Sequence, residues 1–428
     1  MTYLSPISPG YSWYEDTVGE RPAYPRLDGD CTTDVVIVGG GFTGLSAAAN
    51  LAKAGTNVVL IEAHRFGDGA SGRNGGQLGT GQRAWVEELE EELGFTRAKA
   101  LFDLAEEAKA YVIDFSATHG IDMDYVPGQL SVVHKKRYLD AYRRHSEIMA
   151  TRFGYPHISF MDATETARRL GSERFFGGNR DTGTGHIHPL KLVIGTARVA
   201  AEAGAKIFEN TKALKIESRG GKVVVTTPSG TIKAAKGLLA VNAYGGDLEP
   251  DSAAHVMPIG SFIGATVPLG HDSPVIPGGE SVDDSRFVVR YFRKSKDGRL
   301  LFGGREIYAA KDPKDIHIHI RRQITEIYPA LKDVEITHGW GGFVGITMPR
   351  KPYVREVMPN VISAGGYSGH GVMLSNFVGK LYAETVGGNR DRLRLLEDLK
   401  IPPFPGGRRL RAPLLFLALN WYALRDRL

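Results

Sequence analysis

One short stretch limits the choice of folds more than any other. Asp34 to Val38 is an apolar run that breaks into Gly39-Gly40-Gly41-Phe42-Thr43-Gly44. An alanine-rich stretch then runs to Gly55, and a second apolar run, Val58 to Ile61, ends on Glu62. A buried strand, a tight turn, a helix stopped by glycine and a second strand tipped by an acid make the first βαβ unit of a doubly wound, Rossmann-type sheet. Gly39, Gly41 and Gly44 have the spacing that turns the chain, admits a pyrophosphate to the backbone and seats the helix closely on the strand. The helix N-terminus then offers free N–H groups to the negative charge. Glu62, about twenty residues on, is placed to accept hydrogen bonds from ribose hydroxyls, and an acid there disfavours an extra ribose phosphate. Among 53 glycines such a spacing also arises by chance, so its weight comes from its place between strand and helix. The pattern does not separate FAD from NAD.

The chain is long enough for two domains with substantial cores: 428 residues, 42% hydrophobic and 24% charged. The single cysteine, Cys31, excludes an internal disulfide and suits a reducing, cytoplasmic setting. Met1 to Tyr14 is polar and aromatic and does not read as a signal peptide. The net charge of +5 comes from 53 basic residues interspersed with 48 acidic ones, which argues against nucleic-acid binding. In the tail, Arg408, Arg409, Arg411, Arg425 and Arg427 flank an apolar run from Pro413 to Leu424 that is too short to span a bilayer. Such a tail suits either peripheral membrane contact or packing on its own domain.

Trp85 to Phe115 and Arg137 to Arg152 carry apolar residues at helical spacing among many charges, as does Pro189 to Gly204. Short strands are expected at Lys206–Glu209, Ala213–Glu217, Lys222–Thr227 and Thr231–Lys233. Gly237 to Val241 and Val361 to Ala364 are buried-type strands that end in small residues, where ligands of doubly wound sheets sit. Val256 to Val267 and Phe287 to Gly304 alternate as a half-buried antiparallel sheet requires. The expected architecture is therefore α/β (α+β overall), with a dinucleotide-binding domain (30–90, 150–250 and 335–390) interleaved with a substrate domain (91–149 and 251–334). Residues 391–428 form the tail.

A second glycine-dense loop, Gly69-Ala70-Ser71-Gly72-Arg73-Asn74-Gly75-Gly76-Gln77, follows the acidic strand tip and suits a longer ligand. It resembles the equivalent segment of the FAD-dependent D-amino-acid oxidase and sarcosine oxidase superfamily. Gly365-Gly366-Tyr367-Ser368-Gly369-His370-Gly371 resembles that superfamily's C-terminal flavin loop. With the first glycine motif, the likeness runs from about residue 34 to about residue 385. Ser8-Pro9-Gly10-Tyr11-Ser12-Trp13-Tyr14, Phe404-Pro405-Gly406-Gly407, Trp421-Tyr422 and Arg425-Asp426 are most similar to the γ-glutamylputrescine oxidoreductases within it.

The resemblance implies FAD held by Gly39, Gly41, Phe42, Thr43, Gly44, Glu62, Ala63 and Arg65 at the nucleotide side. Ser71, Gly72, Arg73, Asn74, Gly75, Gly76 and Asn242 follow it, and Gly366, Tyr367, Ser368, Gly369, His370, Gly371 and Val372 are expected against the flavin pyrimidine. A helix N-terminus there stabilises the charge of reduced flavin. Covalent tethering is not expected: Gly345-Ile346-Thr347 stands where a late cysteine tether would be, and His64 alone precedes Arg65. The implied reaction is hydride transfer from a C–N bond of a small amine to flavin, with the imine hydrolysing to an aldehyde. Oxygen or another acceptor then reoxidises the flavin. The lysine that sarcosine oxidases place over the flavin is replaced by Leu301 or Phe302.

Tyr291, Trp340, Tyr367 and His370 are the candidates for the reacting end, with Arg293 and Phe343 beside them, since aromatic faces suit an aliphatic amine and its cation. Arg290, Arg305 and Arg350 are candidate carboxylate clamps. An amino-acid dehydrogenase delivering electrons to a membrane quinone and a noncatalytic FAD-containing subunit are the competing readings. No metal site is expected: the pairs His186/His188 and His317/His319 would each share a strand face, but further ligands at useful spacing are lacking.

Overall fold

A computed structural model describes residues 3–270, 272–307 and 315–406. The tail beyond Gly406, with its arginines and its apolar run, lies outside the described residues, as do Gly407, Trp421-Tyr422, Arg425-Asp426 and the side chain of Arg305.

Two sheets organise the chain. The first carries five parallel strands in the order Val361–Gly365, Gly230–Leu239, Cys31–Val38, Val58–Ile61, Lys206–Phe208, with Tyr353–Met358 antiparallel at one edge. Strand interiors such as Val35–Val38 are wholly buried because helices cover one face of the sheet and the strands Lys215–Arg219 and Lys222–Thr227 cover the other, which is why they read as continuous apolar runs. On one face the helix Phe42–Lys53 packs between Pro189–Glu202 and Gly371–Val386. The long helix Phe95–Thr118, expected with the substrate domain, also lays Leu101, Leu104, Ala105, Ala108 and Val112 into this core. Each such large aliphatic side chain contributes about 1.5–3 kcal/mol when fully buried.

The second sheet is mainly antiparallel and runs Gly10–Tyr11, Ile336–Ile346, Met257–Pro268, Arg299–Ile307, Tyr291–Lys294, Ser281–Asp284, Val126–Val132, Gly178–His186, Gln77–Leu78. The stretch Phe287 to Gly304 resolves into a hairpin, with Ser295 to Gly298 turning between its strands. Two segments expected with the dinucleotide-binding domain, 178–186 and 336–346, pair into this sheet instead. Gly178–His186 has almost no apolar residue to announce a strand, and only its partners on either side fix it. The Ser-Pro-Gly-Tyr-Ser-Trp-Tyr segment is structural: Gly10–Tyr11 adds an edge strand, and Trp13 and Tyr14 are buried against Trp340.

The histidine pairs do not share strand faces. His317 and His319 lie on the helix Ile316–Ile327, where residues two apart diverge. His186 ends a strand, whereas His188 caps the helix Pro189–Glu202 by accepting from the Lys191 N–H. Among the described residues no helix is long and apolar enough to cross a membrane.

Candidate functional site

The tips of the parallel strands and the face of the second sheet enclose one long cavity of about 780 Å³. Its floor is the first glycine turn. Gly39 has φ +112°, and a Cβ there would lie 2.6 Å from the Ala240 carbonyl oxygen. A Cβ on Gly44 would lie 1.9 Å from the Gly39 carbonyl oxygen, so the helix Phe42–Lys53 can start this close to the strand only with glycine. Gly44 is thus a packing residue behind the cavity, whereas Gly39, Gly41, Phe42 and Thr43 line it.

Glu62 accepts from the Gly40 N–H (2.8 Å) and the His64 N–H (3.0 Å), with Ala63 beside it on the cavity wall. Burial raises its carboxyl above the usual range, opposed by those backbone donors. Ser71 Oγ accepts from the Phe42 N–H at 3.0 Å, so the second glycine loop is docked on the helix N-terminus. Asn74 Nδ2 donates to the Ala70 and Ser71 carbonyls and its Oδ1 accepts from the Gly76 N–H, which holds the loop in shape. Asn242 Oδ1 accepts from the Gly366 N–H, tying a third strand tip to the C-terminal loop. In that loop the Tyr367 hydroxyl meets Thr43 Oγ1 at 2.9 Å, and burial raises its pKa. Ser368, Gly369, His370, Gly371 and Val372 line the cavity, and the helix Gly371–Val386 begins with no side chain capping its N-terminus. Burial, and then the charge of Arg83, hold the His370 imidazole down at about 3, so it is neutral.

Several expected residues sit elsewhere. Arg65 turns away from the cavity, with its guanidinium 3.9 Å over the Tyr3 ring. Gly72 and Gly366 shape their turns without lining the cavity. Trp340 is fully buried and gives its indole N–H to the Arg73 carbonyl, so it braces the loop from behind and does not face a ligand. Arg73 itself borders the cavity, but its guanidinium donates to the carbonyls of Gly341, Pro9 and Gly10. Arg293 likewise donates to Gly75 and Ile187 carbonyls and to the Tyr14 hydroxyl, and Arg290 pairs with Glu326. Arg350 and Phe343 do line the cavity. Leu301 and Phe302 are buried in the cores of the second sheet and do not.

The roof of the cavity is a row of side chains that sequence reasoning missed except for Tyr291. Register places Asn179, Ser131, Asp283 and Tyr291 side by side across four neighbouring strands. All four line the cavity. Tyr291 lies over Gly303 of the next strand, where a Cβ would come within 2.2 Å of the ring, and its hydroxyl meets Ser261 Oγ at 3.0 Å. Past this row the wall continues through Arg83, Trp85, Tyr142 and His145.

The family model for FAD dependent oxidoreductases matches residues 34–385. The chain belongs to this family. It is 65% identical over 427 residues to a probable oxidoreductase, OrdL, of Rhizobium meliloti, covering 100% of both chains. It is 36% identical to γ-glutamylputrescine oxidoreductase of Escherichia coli, covering 97% of this chain and 98% of that one. In fold it is similar to glycine oxidase from Geobacillus kaustophilus, with a TM-score of 0.72 at 23% identity over 83% of this chain and 95% of the other.

The protein is an FAD-dependent oxidoreductase, and its donor set fits that cofactor. The first turn admits no Cβ at Gly39 or Gly44 without collision, so bare backbone with its N–H groups borders the cavity there. An acid stands at one end and an uncapped helix N-terminus at the other.

Proposed function

We propose that this oxidoreductase acts on the C–N bond of a long aliphatic amine of the γ-glutamylputrescine class. The full-length likeness to γ-glutamylputrescine oxidoreductase carries this reading. The continuation of the cavity beyond Tyr291 into polar and aromatic wall supports it, because a short substrate would leave that part unused.

Bound FAD supplies the acceptor for the hydride of the carbon next to nitrogen. Gly39 to Thr43 and Ser71 would hold its pyrophosphate, Glu62 its ribose, and Gly369 to Val372 the flavin pyrimidine, all without a covalent link. The neutral amine is the reactive form. As the hydride leaves carbon, the nitrogen gives up a proton to solvent, and water hydrolyses the resulting imine to the aldehyde and ammonia. Tyr291, fixed by Ser261, and Tyr367, fixed by Thr43, would orient the amine and exclude water around it. His370 is uncharged at neutral pH and would act as a neutral wall. A cytoplasmic setting fits the single cysteine.

The test is the visible spectrum of the purified holoenzyme without oxygen. γ-Glutamylputrescine should bleach the flavin rapidly, with putrescine, sarcosine and D-alanine slower. Bleaching by sarcosine or D-alanine alone would overturn the substrate class. Admitting air afterwards separates oxygen from another acceptor.

A further inference from the structure

Two oppositely charged groups share the far part of the cavity without pairing. Asp283 points from the roof row, and its Oδ1 is buried with no hydrogen-bond partner; Gln129 serves only Oδ2, at 3.2 Å. Arg83 lines the same region and has no ion-pair partner among the described residues. Its charge nonetheless reaches Asp283, Tyr142 and His370. The neighbouring pair behaves differently: Asp284 is closed by Arg286 and by the N–H groups of Arg286 and Arg290. Burial of Asp283 is offset in part by the Ser131 hydroxyl and the Arg83 charge, but its Oδ1 stays unmet. A ligand that brings an ammonium to Asp283 and a carboxylate to Arg83 satisfies both groups. The same cavity has an aromatic stretch of wall, with the Trp85 ring edge-on to Tyr142 at 5.2 Å and stacked on His145 at 4.5 Å. Such faces accept an alkyl chain and its cation.

We infer that Asp283 and Arg83 form the subsite for an α-amino-acid head at the non-reacting end of the substrate, Asp283 taking the ammonium and Arg83 the carboxylate. This rests on the amine-oxidation reading for its orientation: the amine lies by Tyr291 and the head beyond it. The row Tyr291–Asp283–Ser131 sets the direction, because those residues are cross-strand neighbours on one face. Two other cavity arginines are already engaged, Arg73 by backbone carbonyls and Arg286 by Asp284.

The test uses the full-length, flavin-loaded protein without oxygen and ligands that carry a plain butyl group at the reacting end, with an unchanged flavin spectrum showing that none is oxidised. Calorimetry would compare γ-glutamylbutylamide, which carries both charges, with glutaric acid monobutylamide, which lacks the ammonium, and γ-aminobutyryl butylamide, which lacks the carboxylate. The doubly charged ligand should bind about tenfold or more tighter than either, the range of one charge-assisted hydrogen bond. Asp283→Asn should abolish the preference over the ligand lacking ammonium and keep the other. Arg83→Gln should do the reverse. Binding of all three within about twofold, or an equal loss for all three in each variant, would overturn the subsite. If a variant does not hold flavin, the wild-type ranking decides. Failure of the two claims is separable: a full ranking with no bleaching by γ-glutamylputrescine sinks the amine reading, whereas bleaching with a flat ranking sinks only the subsite.

Discussion

The two ends of the cavity are built from different materials. At the nucleotide end the ligand-facing surface is mostly backbone: glycines, a helix N-terminus and one acid, with the first turn fixed by approaches of 2.6 Å at Gly39 and 1.9 Å at Gly44 that a Cβ would make to backbone oxygens. At the far end it is side chains on strands, set in a row by register. Arg73 and Arg83 repeat the contrast within one loop region. The first spends its guanidinium on three backbone carbonyls and is part of the scaffold. The second has no carboxylate partner among the described residues and faces the cavity. A charge type therefore says little about role until its partners are known.

The contrast can be broken most severely at the floor. Gly44→Val puts a β-branched side chain where even a Cβ would lie 1.9 Å from the Gly39 oxygen. We expect a loss of about 3 kcal/mol or more and a protein purified without flavin colour, read by absorbance and thermal unfolding. A Gly44→Val protein with normal flavin content and Tm would show that the turn is not held as described.

Next comes the pair of arginines. Arg73→Met takes the guanidinium away from three carbonyls, of which Pro9 keeps the Gly341 N–H, and should cost about 2–4 kcal/mol. Arg83→Gln, at a group with no ion partner to lose, should shift stability by less than about 1 kcal/mol. Chemical denaturation of both variants measures the difference, and equal losses would erase the distinction between scaffold and ligand-facing arginine.

The smallest expected effect is one of pH. Burial pushes the Asp283 carboxyl up to about 6, against the Ser131 hydroxyl and the Arg83 guanidinium and with help from the Asp284 charge; Tyr142 faces it from the helix Leu139–Thr151. Above that value it is a carboxylate able to hold an ammonium, and below it is neutral. The advantage of γ-glutamylbutylamide over glutaric acid monobutylamide should thus be full near pH 8 and fade as pH falls through about 6. His370, held at about 3, stays neutral across the same range and should not contribute. A preference that stays flat down to pH 5 would remove Asp283 from ammonium binding.

Sequence alone carried the cofactor end. The strand–turn–helix around Gly39, Gly41 and Gly44, with Glu62 at the next strand tip, is local: neighbours in sequence make the turn and the helix start, so periodicity and glycine spacing report them. The two later flavin loops were legible through resemblance. Tertiary structure alone decided the far end. Nothing local separates Asp283 from Asp284, yet alternation along one short strand turns Val282 to the core and Asp283 to the cavity, and register with Ser131 and Tyr291 gives it its neighbours. Nor does sequence say that Trp340 backs the loop while Tyr291 roofs the cavity, since both are aromatic residues on strands. Strand pairing is set by partners far along the chain, and which side chain meets the ligand follows from that pairing.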